Sequence, residues 1–105
     1  MYSQVREDKI LVIDDESAIC EVLKASLGDE GYISESAGDG EKGLEKIESF
    51  KPSVVLLDIW MPGRYDGIAV LKIARERFPD VDFIVMSGHG TIETAVQATK
   101  LGGWD

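Results

Sequence analysis

The sequence predicts an α/β fold, a parallel sheet covered by helices on both faces, and two observations carry that reading. Short apolar runs alternate with segments of helical periodicity from one end of the chain to the other, in the order β-α-β-α-β-α-β-α. One of those runs, Val54-Val55-Leu56-Leu57, is apolar without a break, as expected of a strand buried on both faces. The 105 residues suit one domain. A chain of that size can bury about two-thirds of its unfolded surface and so hold a core without covalent staples.

The first strand is expected over Lys9–Ile13. A helix follows over Glu16–Leu27, with Ile19, Val22, Leu23 and Leu27 on one face. Gly28 and Gly31 suit its end. A weaker strand is predicted over Tyr32–Ala37. Asp39 can cap the next helix, which carries Leu44, Ile47 and Phe50 on its apolar face and stops at Pro52. After the strand at Val54–Leu57 comes a loop, DIWMPGRYDG (58–67), then a helix from Ile68 to Arg77. A fourth strand is expected over Phe83–Met86, a loop at SGHG (87–90), and a fourth helix over Thr91–Leu101 with only a thin apolar stripe.

The net charge of −9 argues against direct binding of nucleic acid, because an acidic surface repels phosphate backbones. It fits cation binding or a basic partner. No apolar run reaches the roughly 18–20 residues needed to span a membrane, and the polar start MYSQVREDK resembles neither a signal nor a transit peptide. Cys20 is the one cysteine, so no intrachain disulfide can form, in keeping with a reducing compartment. It is expected to serve as a small buried hydrophobe. These features together predict a cytoplasmic protein.

In LVIDDES (11–17) a buried strand runs straight into three carboxylates. Right-handed crossovers place every strand's C-terminal end on one edge of the sheet, where ligands bind. Strand one ends in Asp14-Asp15, strand three in Asp58 and strand four in Ser87. Taken singly, each aspartate would be read as a cap or turn former and Ser87 as a loop hydroxyl. Glu16 suits a first-turn acid facing the helix dipole. Placed together at one edge, the carboxylates need a cation. Two unit charges about 4 Å apart repel by about 4 kcal/mol at an effective dielectric of about 20. Mg²⁺ takes a few carboxylate oxygens, keeps waters and shares phosphate oxygens, so the cluster is read as a Mg²⁺ and phosphoryl site. His89, between glycines, is read as a solvated loop residue. SGHG lacks the glycine that a nucleophile elbow needs two residues before its serine.

The segments ILVIDDES (10–17), VVLLDIWMPGRYDG (54–67) and IVMSGHG (84–90) resemble the receiver domains of two-component response regulators. DIWMPG and SGHGTIETAVQATKLG are most similar to the nitrogen-regulatory, sigma-54-dependent activators. The resemblance implies a flavodoxin-like doubly wound sheet with strands one and three adjacent. It implies that Asp58 is phosphorylated by a sensor histidine kinase. It further implies that Asp15, Asp58 and the backbone carbonyl of Trp60 bind Mg²⁺, with Mn²⁺ as a substitute and Asp14 assisting through water. Ser87 would hydrogen-bond the new phosphoryl group. The domain would be a switch rather than an enzyme, controlling a transcriptional output.

Two departures stand out. MPGRYDG carries one residue more than the family's usual Met-Pro-Gly-x-Asp-Gly. The chain also stops at LGGWD (101–105), so residues 1–105 are expected to form a receiver incomplete at its C-terminus, without the last strand and helix. An open edge on the fourth strand would then favour self-association, as a homodimer or by exchange of an element. The sequence also admits two rival functions. One is a pseudo-receiver that takes no phosphate, and the intact acid trio argues against it. The other is a Mg²⁺-dependent phosphohydrolase with Asp58 as nucleophile, and the position where such enzymes place a second Asp holds Trp60.

Overall fold

The computed structural model of the chain describes residues 8–61, 66–86 and 103–104. The strands are β1 (Lys9–Ile13), β2 (Ile33–Ala37), β3 (Val54–Asp58), β4 (Asp82–Met86) and β5 (Gly103–Trp104). The helices are α1 (Ser17–Asp29), α2 (Gly40–Phe50) and α3 (Gly67–Arg77). The five strands form one sheet in the order β2-β1-β3-β4-β5, with every pair parallel. The chain steps from β1 to β2 in one direction and then returns past β1 to β3. With right-handed crossovers this reversal sends α1 to one face and α2 and α3 to the other. The expected flavodoxin-like doubly wound sheet is therefore present, with its switch point between β1 and β3.

The larger core lies under α2 and α3. Leu11, Ile13, Val55, Leu57 and Phe83 occupy alternate positions on their strands and are 0–1% exposed. They pack with Leu44, Ile47 and Phe50 of α2 and Val70, Leu71 and Ala74 of α3. Gly43 allows α2 to come close, since a Cβ there would lie 2.6 Å from Ile13 Cδ1. Asp39 caps α2 by accepting a hydrogen bond from the Lys42 N–H at 2.7 Å. The helix ends in a left-handed residue, Lys51 at φ 56°, just before Pro52.

Four local expectations are corrected. Helix α1 begins at Ser17 and runs through Gly28 to Asp29, so Glu16 is its N-cap residue and not part of its first turn. Its sheet-facing stripe is Cys20, Leu23 and Leu27. Ile19 and Val22 are 38% and 64% exposed, because they lie about 100° and about 160° round the helix from the buried Cys20. Strand β2 starts at Ile33 rather than Tyr32. The sheet also contains a fifth strand: Gly103 and Trp104 pair with Phe83 and Ile84. The expected open edge on β4 is thus covered at those two positions. The loop at 87–90, with Ser87 and His89, and the expected helix Thr91–Leu101 lie outside the described residues.

Candidate functional site

The site is assembled by the β1–β3 pairing. Ile13 sits opposite Leu57, so the residue after β1 and the last residue of β3 emerge side by side at the C-terminal edge. One carboxylate oxygen from each of Asp14, Asp15 and Asp58 lies within 4.8 Å of the others. Asp14 and Asp58 are each 5% exposed, whereas Asp15 is exposed. The donor set is all oxygen and anionic, which suits a hard divalent cation.

Backbone groups hold this cluster. The Asp14 N–H donates to the Ala37 carbonyl at 3.1 Å, carrying β1–β2 pairing one residue past the strand. Asp14 Oδ1 accepts from the Glu16 N–H at 2.9 Å. Asp58 Oδ1 accepts from the Trp60 N–H at 3.1 Å. These bonds turn each carboxylate back onto its own loop and fix its direction. Beyond Asp58, the Ile59 N–H donates to the Met86 carbonyl at 3.1 Å, and the Gly67 N–H donates to the Ile59 carbonyl at 3.0 Å. The start of α3 is therefore tied to the peptide that follows Asp58. A Cβ on Gly67 would lie 2.3 Å from the Asp58 carbonyl oxygen and 2.4 Å from Ile59 Cα, so this approach requires glycine. Asp66 caps α3 by accepting from the Ala69 N–H at 2.9 Å.

Cys20 reaches the site from α1. Its thiol donates to the Asp14 carbonyl at 3.4 Å. Burial, and then the charge of Asp14, push its pKa up from the ordinary thiol value, which keeps it a protonated donor. It also lines a cavity of about 180 Å³ with Asp14, Asp15, Ser17, Ser36 and Gly38.

Of the residues expected at the site, Asp14, Asp15 and Asp58 come together. Trp60 follows on the same loop with its side chain 44% exposed. Ser87 lies outside the described residues. Sequence reasoning places Gly67 only at the end of a loop and takes Cys20 only as a buried hydrophobe. The burial of Cys20 is as expected, at 5% exposure. The contacts of both residues with the aspartates join a helix to the end of the strand before it and leave no periodic signal.

An edge at which two buried strands deliver three carboxylates, on a sheet of this order, defines a class. Residues 10–105 match the response regulator receiver domain, and the chain belongs to that family. Among its relatives is the nitrogen assimilation regulatory protein NtrX of Azorhizobium caulinodans. The two are 42% identical over 97 residues, which is 91% of this chain and 21% of the relative. The DNA-binding transcriptional regulator NtrC of Escherichia coli K12 is 38% identical over 96 residues, covering 91% of this chain and 20% of NtrC. The chain thus spans about a fifth of the length of these relatives. The crystal structure of the receiver domain of NtrX from Brucella abortus superposes with a TM-score of 0.85 at 41% identity, covering 91% of this chain and 81% of that one. Among the described residues, no helix is long and apolar enough to cross a membrane.

Proposed function

We propose that residues 1–105 form the phospho-acceptor switch of a two-component system, phosphorylated on Asp58 by a sensor histidine kinase and acting on a transcriptional output in the cytoplasm. The observation that carries this reading is the convergence of the Asp14, Asp15 and Asp58 carboxylates within 4.8 Å at the switch point of the sheet. Asp14, Asp15, Asp58 and the Trp60 backbone carbonyl would hold Mg²⁺, or Mn²⁺ in its place. When bound, the ion supplies the positive charge that phosphoryl transfer requires.

A carboxylate oxygen of Asp58 is the nucleophile. It forms a bond to phosphorus as the bond from phosphorus to the donor's imidazole nitrogen breaks, and that nitrogen keeps the electron pair. The Trp60 N–H holds the Asp58 carboxylate in one orientation, which lowers the cost of reaching an attack geometry. The Ser87 hydroxyl is the group proposed to hydrogen-bond the product. The aspartyl phosphate adds charge and acceptor oxygens beside the peptides that tie Ile59 to Met86 and Gly67 to Ile59, so the ends of β4 and α3 are where the switch would be felt. The similarity to NtrX and NtrC supports a transcriptional output linked to nitrogen regulation and sigma-54.

Intact-mass measurement after incubation with acetyl phosphate tests this reading. The mass of one phosphoryl group should be gained with Mg²⁺, lost with a chelator, and absent from Asp58→Asn. Labelling that is indifferent to the chelator or to the substitution would refute it.

A further inference from the structure

We propose that Cys20 is a positioning residue for the carboxylate cluster, acting through its hydrogen bond to the carbonyl of the Asp14–Asp15 peptide. The inference rests on the metal site proposed above and deepens it.

Asp14 lies one residue beyond β1. The sheet still supplies a partner for its N–H, the Ala37 carbonyl. Its carbonyl faces α1, but the first amides to donate there, those of Ile19 and Cys20, go to the Glu16 carbonyl. Among the described residues, the Cys20 thiol is the donor to the Asp14 carbonyl, at 3.4 Å. The first turn of α1 is thereby bonded to the end of β1.

The consequence follows from peptide geometry. The Asp14 carbonyl and the Asp15 N–H belong to one rigid plane. A donor that fixes the direction of this carbonyl also fixes where Asp15 leaves β1, and so where its exposed carboxylate meets those of Asp14 and Asp58. A thiol is a weak donor. Yet a buried carbonyl left without a donor is costly, and the peptide is then free to rotate toward another partner. Partners of metal ligands commonly tune affinity in this way.

Calorimetric titration of Mg²⁺ into the wild-type chain, Cys20→Ala, Cys20→Val and Cys20→Ser tests the proposal, at a temperature where circular dichroism shows each to be folded. Cys20→Ala and Cys20→Val should bind about tenfold more weakly. Cys20→Ser restores a donor and should stay close to wild type, a rescue that side-chain volume alone does not predict. If Cys20→Ala fails to fold, the Val and Ser variants decide. Wild-type affinity in the Val variant, or a loss in Ser as large as in Val, would overturn the positioning role while leaving the metal site standing. A wild-type chain that takes no Mg²⁺ would overturn the metal site itself, and the inference with it.

Discussion

Asp14 and Asp58 are nearly buried, and each gives one carboxylate oxygen to a backbone N–H two residues further on. Those bonds orient the side chains without bringing a full positive charge. The exposed Asp15 can be altered with little effect on packing, so it isolates the electrostatic role. Asp15→Asn should abolish the change in Trp60 fluorescence on Mg²⁺ or Mn²⁺ titration, read in a Trp104→Phe host. A parental titration curve in the variant would show that the cation does not sit at this cluster. Gly67 is the second residue to probe. Gly67→Ala forces a methyl against the Asp58–Ile59 backbone, and should cost about 1–3 kcal/mol in urea unfolding while slowing labelling of Asp58. Wild-type stability in this variant would mean that α3 moves aside freely. The aspartates were legible because each ends an apolar run. The roles of Gly67 and Cys20 were not, because they depend on contacts between a helix and the end of the preceding strand, which no apolar repeat marks.

At the level of elements, alternation of apolar runs located β1, β3 and β4 to within a residue or so, and Asp39 announced the start of α2. Helix α1 shows where pattern reading fails. Its sequence offers Ile19, Val22, Leu23 and Leu27 as a stripe, but the side that meets the sheet is centred on Cys20, Leu23 and Leu27. Cys20 is expected to be buried, yet the stripe passes through the larger Ile19 and Val22, which lie about 100° and about 160° round the helix from it. The difference is measurable. Val22→Lys should change stability by no more than about 0.5 kcal/mol, as for an exposed site. Leu71→Ala, in the core beneath α3 at 0% exposure, should cost about 2–5 kcal/mol. Comparable losses in denaturant titrations of the two would contradict the assignment of faces. Strand β5 was not foreseen inside the chain, because Gly103-Trp104 is too short to show alternation and is defined only by its pairing with β4.

For the whole molecule, the reversal of strand order between β1 and β3 is what turns a sequence with scattered acids into one with a site. The same topology places the peptides after Asp58 against the ends of β4 and α3, so a charge gained at Asp58 has a physical route into two elements. The net charge of −9 makes a tightly held phosphate unfavourable without a cation, which is why the proposed chemistry should be metal-dependent throughout. The most direct test is to locate the phosphoryl group itself. The chain is phosphorylated by a phosphorylated histidine kinase with Mg²⁺ present, and the acyl phosphate is trapped by borohydride reduction before peptide mapping. Metal-dependent phosphoryl transfer to the cluster predicts modification of Asp58 alone, and none when Mg²⁺ is chelated. Modification of any other residue, or of Asp58 regardless of the metal, would contradict it.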